Sequence, residues 1–347
     1  MLARMIDLAE RAPVSDALTR ASVSALVALA ALRLRGADEA REARFVEEMR
    51  ARPIALHTGA ANAQHYELPA SFFEAVLGPR RKYSCCYFET PGASLEEAED
   101  AALKATVARA GLADGMRVLE LGCGWGSLSL YAAERFPRMK ITAVSNSRAQ
   151  RDAVAARARR LGLHNVEVIT ADMNGFAPVE KFDRIVSVEM FEHMANWDAL
   201  LSRCRSWLHP DGRLFLHVFA HARVAYRFDH HDPADWIARH FFTGGLMPSR
   251  TLPRRFPLSF TVEREHRWSG AHYAETARRW LANFDASQER VEAILAPVYG
   301  EETRLAMRRW RLFFLAVEGL FGHARGEVWD VGHYLMAPAP AGNSDRP

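Results

Sequence analysis

Val118-Leu-Glu-Leu-Gly-Cys-Gly-Trp-Gly126 decides how this chain is read. It begins as a buried strand, breaks into a loop with a glycine at every second position, and continues as a helix. Gly122, Gly124 and Gly126 let the backbone turn tightly and approach a ligand without a Cβ in the way. Glu120 stands two residues before the first glycine. A loop of this kind with an acidic neighbour suits S-adenosylmethionine (SAM), because Glu120 can face the positive end of its methionine part. A nicotinamide site asks instead for G-x-G-x-x-G and a carboxylate about 20 residues later for the ribose. Here the third glycine comes one position early, and Ser127 stands where that pattern has Gly. The next strand, Lys140–Ser145, runs into Asn146 with no carboxylate.

Outward from this loop, strands and helices alternate. Strands are expected at Arg117–Leu121, Lys140–Ser145, Val166–Thr170, Asp183–Val188 and Arg213–Val218, with helices between them. That alternation is a doubly wound α/β domain with a parallel sheet. Upstream, residues 1 to about 60 are rich in Ala, Arg, Leu and Glu and read as a helical region. Residues 61–95 are aromatic and irregular, and Leu95–Gly111 is a helix ended by glycine. The core is then 96–220. After it the alternation stops, and 221–336 holds an insertion, a strand at Leu258–Arg267, helices at Ala271–Phe284, Arg290–Tyr299 and Glu302–Phe321, and a last antiparallel strand at Val328–Met336. Residues 337–347 read as a disordered tail.

With 347 residues the chain can bury a sizeable core. A net charge of +3 gives no nucleic-acid footprint. Pro79-Arg-Arg-Lys82 and Arg308-Arg-Trp-Arg311 offer a transient contact with an anionic membrane surface, or are solvated helix ends. Four cysteines, Cys85, Cys86, Cys123 and Cys204, have neither metal-ligand spacing nor a disulfide framework. No metal is expected, and a reducing cytoplasm is. The acidic Asp7 and Glu10 interrupt what would be the core of a signal peptide. The apolar run Ala21–Leu32 is too short for ~30 Å of hydrocarbon and reads as a helix covering part of the core.

Ligands in open α/β sheets bind at the carboxyl ends of the strands. Asp172 follows the third strand, as an adenine or ribose contact or as a helix cap. Asn146 and Gln150 follow the second strand and can replace the missing ribose carboxylate, unless Asn146 only caps. Glu189-Met-Phe-Glu-His-Met194 follows the fourth strand. In a helix, Glu189, Glu192 and His193 would share a face. Two carboxylates beside an imidazole form a proton-handling cluster, and a carboxylate partner can hold His193 in one tautomer. His217 lies inside the apolar fifth strand and taken alone reads as a core histidine. Tyr273 taken alone reads as packing.

Together these motifs resemble the cyclopropane-fatty-acid synthase family of SAM-dependent enzymes, and within it the coclaurine N-methyltransferase branch. The resemblance rests on His65-Tyr-Glu-Leu-Pro69, Lys82-Tyr-Ser-Cys-Cys-Tyr-Phe88, Glu120–Gly126, Ser145-Asn-Ser147 with Gln150, Glu189–Met194, His240–Ser249, His272-Tyr273 and Trp310–Phe314. It implies a Rossmann-like class I methyltransferase with a mostly parallel seven-stranded sheet. It implies cofactor contacts from Tyr83, Ser84, Gly122, Asn146, Gln150, Asp172, Met173 and Val188. It places Glu192 and His193, with Glu189, around a substrate amine. In cyclopropane synthases the positions matching Cys85, Glu192, His217 and Tyr273, with the backbone at Phe219, hold a bicarbonate ion that takes up protons. The penultimate helix has about Val317 where bacterial cyclopropane synthases carry a cysteine, which weakens the lipid reading.

The expected function is methyl transfer from SAM to a small hydrophobic, benzylisoquinoline-like amine. The alternatives are methylation of an unsaturated phospholipid acyl chain, with bicarbonate, and a SAM-binding protein without catalysis. Aromatics at Tyr83, Tyr87, Trp125 and Tyr273 are expected around the cationic reactant, and Phe241-Phe242 as an apolar wall. A homodimer is left open.

Overall fold

The structure is a computed structural model that describes residues 10–11, 14–36, 39–56, 68–232 and 235–340. Residues 65–67 of the His65–Pro69 motif and 341–347 of the tail lie outside the described residues.

Among the described residues the N-terminal region holds the helices α1 (Asp16–Leu34), α2 (Glu39–Arg50) and a short α3 (Ala70–Val76). The helix α4 (Leu95–Ala110) starts where Ser94 can cap it. The Ser94 hydroxyl accepts from the Glu97 amide, and the Glu97 carboxylate accepts from the Ser94 amide. The alternating core follows as β1 (Arg117–Leu121), α5 (Ser127–Arg135), β2 (Lys140–Ser145), α6 (Arg148–Arg160), β3 (Val166–Thr170), β4 (Phe182–Val188), α7 (Trp197–Trp207) and β5 (Leu208–His221). Beyond it lie β6 (Tyr226–Arg227), α8 (Trp236–His240), β7 (Leu246–Met247), β8 (Phe260–Trp268), α9 (Gly270–Ala286), α10 (Gln288–Tyr299), α11 (Thr303–Gly322) and β9 (Trp329–Pro338).

The seven-stranded sheet has the order β3-β2-β1-β4-β5-β9-β8. The first five strands pair in parallel, and β9 pairs antiparallel with both β5 and β8. This is the Rossmann-like class I methyltransferase arrangement. The chain order reverses between β1 and β4, so the loops after these strands diverge and leave a crevice there. β1 carries Val118, Leu119 and Leu121 buried on both faces of the sheet, as a central parallel strand must.

Three details differ from the sequence reading. β9 continues through Pro338, because Phe260 and Thr261 of β8 pair with Pro338 and Ala337. The Glu189–Met194 segment is no α-helix: only Phe191–His193 form a 3₁₀ turn. Glu189 itself takes a left-handed φ of 49°, which reverses the chain directly after β4. Finally, α1 leaves most of its apolar surface exposed, with Leu18, Leu29 and Leu32 more than half accessible and only Val27 and Ala31 buried. By length and composition it could cross a membrane. In this fold it lies on α11 through the ion pairs Arg20–Glu318 (3.1 Å) and Arg311–Asp16 (2.5 Å).

Candidate active site

A cavity opens at the carboxyl ends of β1, β2, β3 and β4. One end is built from the glycine loop and the turns after β2 and β3: Glu120, Gly122, Gly124, Asn146, Gln150, Asp172 and Met173 line it. Tyr83 and Ser84 close it from the segment before α4, and Val188 from β4.

The three glycines divide by role. A Cβ on Gly122 would meet the Met190 side chain at 2.6 Å, and one on Gly126 would meet Val154 at 2.7 Å. A Cβ on Gly124 would meet no atom within 4 Å, and Gly124 lines the cavity. All three take a positive φ that favours glycine; beyond that, protein packs against Gly122 and Gly126, while Gly124 borders the open cavity. Gly126 is not among the lining residues; Ser127 and Trp125 are.

The polar atoms of this end fit SAM. Ser147, not Asn146, caps α6, and its Oγ accepts from the Gln150 amide at 3.3 Å. Asn146 thus lies in the lining with its capping alternative removed. Gln150 Oε1 accepts from Ser145 Oγ at 2.7 Å, which turns the side-chain amide, Nε2, away with no partner in the protein. The Trp125 indole nitrogen is likewise buried without a partner. Buried donors without acceptors cost about 1–3 kcal/mol each, and a ligand recovers that. Asp172 caps no helix; its Oδ1 accepts from the Asn174 amide at 2.8 Å. Glu120 accepts from Ser129 Oγ, and burial pushes its carboxyl up to about 8. A cationic ligand group would favour its ionised form. When bound, SAM supplies a methyl group on a positively charged sulfur.

The first 60 residues also reach this end. Ala55 and Leu56 line the cavity. Asn174 holds them there, accepting from the Ala55 amide at 3.1 Å and donating to its carbonyl at 3.2 Å. Ala55 also bridges to Met194. No local pattern in 50–56 announced this; the signal would have been the unexplained Asn174 beside Asp172.

At the other end of the cavity Glu189 and His193 form the wall. Three donors converge on Glu189: the Cys85 amide at 2.9 Å, His217 Nε2 at 3.1 Å and the Tyr273 hydroxyl at 2.6 Å. Burial raises its pKa, against the lowering effect of Lys82, Tyr273, the Cys85 amide and His193. Glu192 is fully buried behind it. Glu192 Oε1 accepts from the Phe219 amide at 2.8 Å, and Oε2 has no partner. Burial and the neighbouring Glu189 raise Glu192 well above the carboxylate range. Of the two, Glu189 is the ionised member, because it collects the donors.

Burial brings His193 down to about 4, so its imidazole is neutral near pH 7, and Glu189 is the charge that opposes this shift. The charged carboxylate coupled to His193 is therefore Glu189. Phe242 stacks on the His193 ring at 4.3 Å, backing that imidazole with an apolar face, although it is not itself among the residues lining the cavity. Phe241 lies apart: it stacks on Phe313 at 4.5 Å in the core.

Cys85, Glu192, His217 and Tyr273 are thus gathered around the site but stand behind the cavity wall. Cys85 acts through its backbone amide, while burial holds its thiol protonated. His217 is a core histidine and a site histidine at once, fully buried and bonded to Glu189. Tyr273 stacks on Phe321 at 4.3 Å while its hydroxyl serves Glu189. Tyr83 and Trp125 face the cavity. Tyr87 does not, because it stacks on Trp268 at 4.9 Å.

The family model of mycolic acid cyclopropane synthetase matches residues 57–331. The chain is 35% identical over 297 residues to (S)-coclaurine N-methyltransferase of Thalictrum flavum subsp. glaucum, covering 84% of this chain and 82% of that protein. It is 30% identical over 271 residues to the cyclopropane-fatty-acyl-phospholipid synthase of Escherichia coli strain K12, covering 77% of this chain and 66% of that one. Among solved structures, coclaurine N-methyltransferase bound to N-methylheliamine and SAH superposes with a TM-score of 0.91 at 31% identity, over 96% of this chain and 99% of that one. A cyclopropane synthase of Mycobacterium tuberculosis gives a TM-score of 0.69 at 27% identity, over 82% of this chain and 99% of that one. The glycine loop with its orphaned donors, the sheet order and these likenesses agree: the chain belongs to the mycolic acid cyclopropane synthetase family and is a SAM-dependent methyltransferase.

Proposed function

We propose that this enzyme transfers the methyl group of SAM to the nitrogen of a small hydrophobic amine of the benzylisoquinoline kind. One observation carries the reading. The donors that a bicarbonate ion would need already donate to the chain's own carboxylates. The Cys85 amide, His217 and Tyr273 serve Glu189, and the Phe219 amide serves Glu192. An olefin acceptor leaves a carbocation that must shed a proton to such an ion. An amine needs only a lone pair and an anion nearby.

The residues divide that work. Tyr83, Ser84, Gly122, Gly124, Asn146, Gln150, Asp172, Met173 and Val188 hold SAM, and Glu120 faces its positive end. Neutral His193 is the group placed to take the proton of the incoming ammonium; burial alone leaves it a weak base, down at about 4, so the transfer depends on the Glu189 charge that favours its imidazolium form. Glu189 stabilises the positive charge before and after transfer. Trp125 and, behind His193, Phe242 shield the reacting nitrogen from water. The exposed apolar face of α1 supports self-association, and four buried, unpaired cysteines support a reducing compartment such as the cytoplasm.

The test is incubation with methyl-labelled SAM against a panel of secondary and tertiary amines and, separately, vesicles of unsaturated phospholipid, read by mass spectrometry. Methylated amine in vesicle-free, bicarbonate-depleted buffer is the expected result. Product only with vesicles, restored by bicarbonate, would establish the lipid alternative. No product from either would leave a SAM-binding protein without catalysis.

A further inference from the structure

Behind Glu189, a row of hydrogen bonds crosses the strands β5 and β9 of the sheet. His217 on β5 pairs in register with His333 on β9, and His333 with His266 on β8. His333 Nε2 lies 2.9 Å from His217 Nδ1, and His217 Nε2 lies 3.1 Å from Glu189 Oε1. At the far end, Arg109 of α4 reaches His333 Nδ1 at 2.7 Å while its guanidinium lies over the Trp268 ring at 5.2 Å.

Arginine fixes the direction of this row. A guanidinium has only donors. His333 must therefore accept at Nδ1 and carry its proton on Nε2. His217 must in turn accept at Nδ1, carry its proton on Nε2 and donate to Glu189. Both rings are buried and neutral, and desolvation with the nearby cations Lys82 and Arg109 disfavours a second proton on either.

We propose that Arg109 and His333 are positioning residues for methyl transfer, locking His217 as the Nε2–H tautomer so that Glu189 stays ionised and fixed toward the acceptor nitrogen. What the anion is for rests on the amine reading; the row itself does not. Its direction has a consequence. Within the row, the ring nitrogen that faces Glu189, His217 Nε2, already carries its proton, so the row supports the carboxylate but gives no exit for the amine's proton. That proton leaves by way of His193 and the cavity.

The charged and titratable groups that face Glu189 are Lys82 and Cys85 from the segment before α4, His217 from β5, Tyr273 from α9, and Glu192 and His193 from its own turn. Those facing His333 are His217, His266, Arg109 and Lys82. None of these replaces the lost direction when Arg109 is removed.

Two measurements test the proposal. Nitrogen-15 NMR of the labelled full-length enzyme should show His217 and His333 as neutral Nε2–H tautomers near pH 7. An Nδ1–H tautomer or a charged ring at either position would overturn the row, whatever the substrate proves to be. Secondly, Arg109→Met and His333→Phe should each lower kcat by roughly 10–100-fold, the scale found for groups that orient ligating histidines, while SAM affinity stays unchanged. The pH below which kcat/KM falls more steeply than the tenfold per unit of the amine itself should rise by about one unit. Arg109→Lys, which keeps a donor, should restore much of both. A folded Arg109→Met variant with an unchanged pH profile would sink the positioning role, while leaving amine methylation by the native enzyme intact. If the native enzyme methylates no amine, the amine reading fails, and the NMR result alone still decides the row.

Discussion

The two ends of the cavity are built on opposite plans. At the cofactor end, most of the ligand-facing groups come from the ends of β1, β2 and β3 and the short turns that follow them, within Glu120–Ser127, Ser145–Gln150 and Ala171–Met173, with Tyr83, Ser84, Ala55 and Leu56 added from elsewhere. At the acceptor end, one carboxylate is held by three donors from three places, Cys85, His217 and Tyr273, and the row behind it adds β9 and α4. The first plan uses backbone shape and atoms left without partners. The second uses buried charge, where Glu189 is held by its own donors and its left-handed turn is kept by the surroundings at a cost of about 1–3 kcal/mol. Binding a cofactor shared by many enzymes needs shape; choosing an acceptor and managing its proton needs electrostatics.

The acceptor end should break most visibly. His193→Ala should lower kcat by about 10²–10⁴-fold, and Glu189→Gln by about 10²–10³-fold, both with SAM affinity within a few-fold of the native value. The double variant should be scarcely worse than the worse single, because the imidazole and the carboxylate act on one nitrogen. Single-turnover kinetics at saturating SAM measures this. Fully multiplicative losses would mean that the two residues serve separate steps.

At the cofactor end the glycines separate binding from folding. Gly124→Val places a side chain in ligand space at a φ of 52° and should weaken SAM binding by at least about 100-fold. Gly126→Ala presses on Val154 instead and should cost roughly 1–3 kcal/mol of stability, with a smaller effect on affinity. Calorimetric titration and denaturant melts distinguish them. A Gly124→Val protein with native affinity would move the ligand away from this loop.

The smallest effect belongs to Glu120. Burial pushes its carboxyl up to about 8 in the protein alone, so below that pH it carries a proton. A cationic ligand group favours the ionised form, so binding must release the proton. SAM affinity should therefore rise with pH, by at most tenfold per unit, and flatten above about 8. Titration in buffers of different ionisation heat would show the released proton near pH 7. A pH-independent affinity with no proton release would separate Glu120 from the cofactor's charge.

The sequence by itself determined the doubly wound sheet and the cofactor end, because both are written in local patterns. Strand alternation and glycine spacing act over a few residues, and the expected strands at Arg117–Leu121, Lys140–Ser145 and Val166–Thr170 are those observed. It also named the members of the acceptor end, Glu189, Glu192, His193, His217, Tyr273 and Cys85, partly through family resemblance. It did not arrange them. Helical periodicity suggested that Glu189, Glu192 and His193 share a face, whereas the left-handed Glu189 and a single 3₁₀ turn send Glu192 to the Phe219 amide. Ala55 and Leu56 at the cavity, and the partnership of Arg109 with His333, 224 residues away, had no sequence signal at all. Only the tertiary structure decided these, because burial sets which carboxylate keeps its charge and strand register sets which histidines meet. Neither is a property of any short stretch of chain.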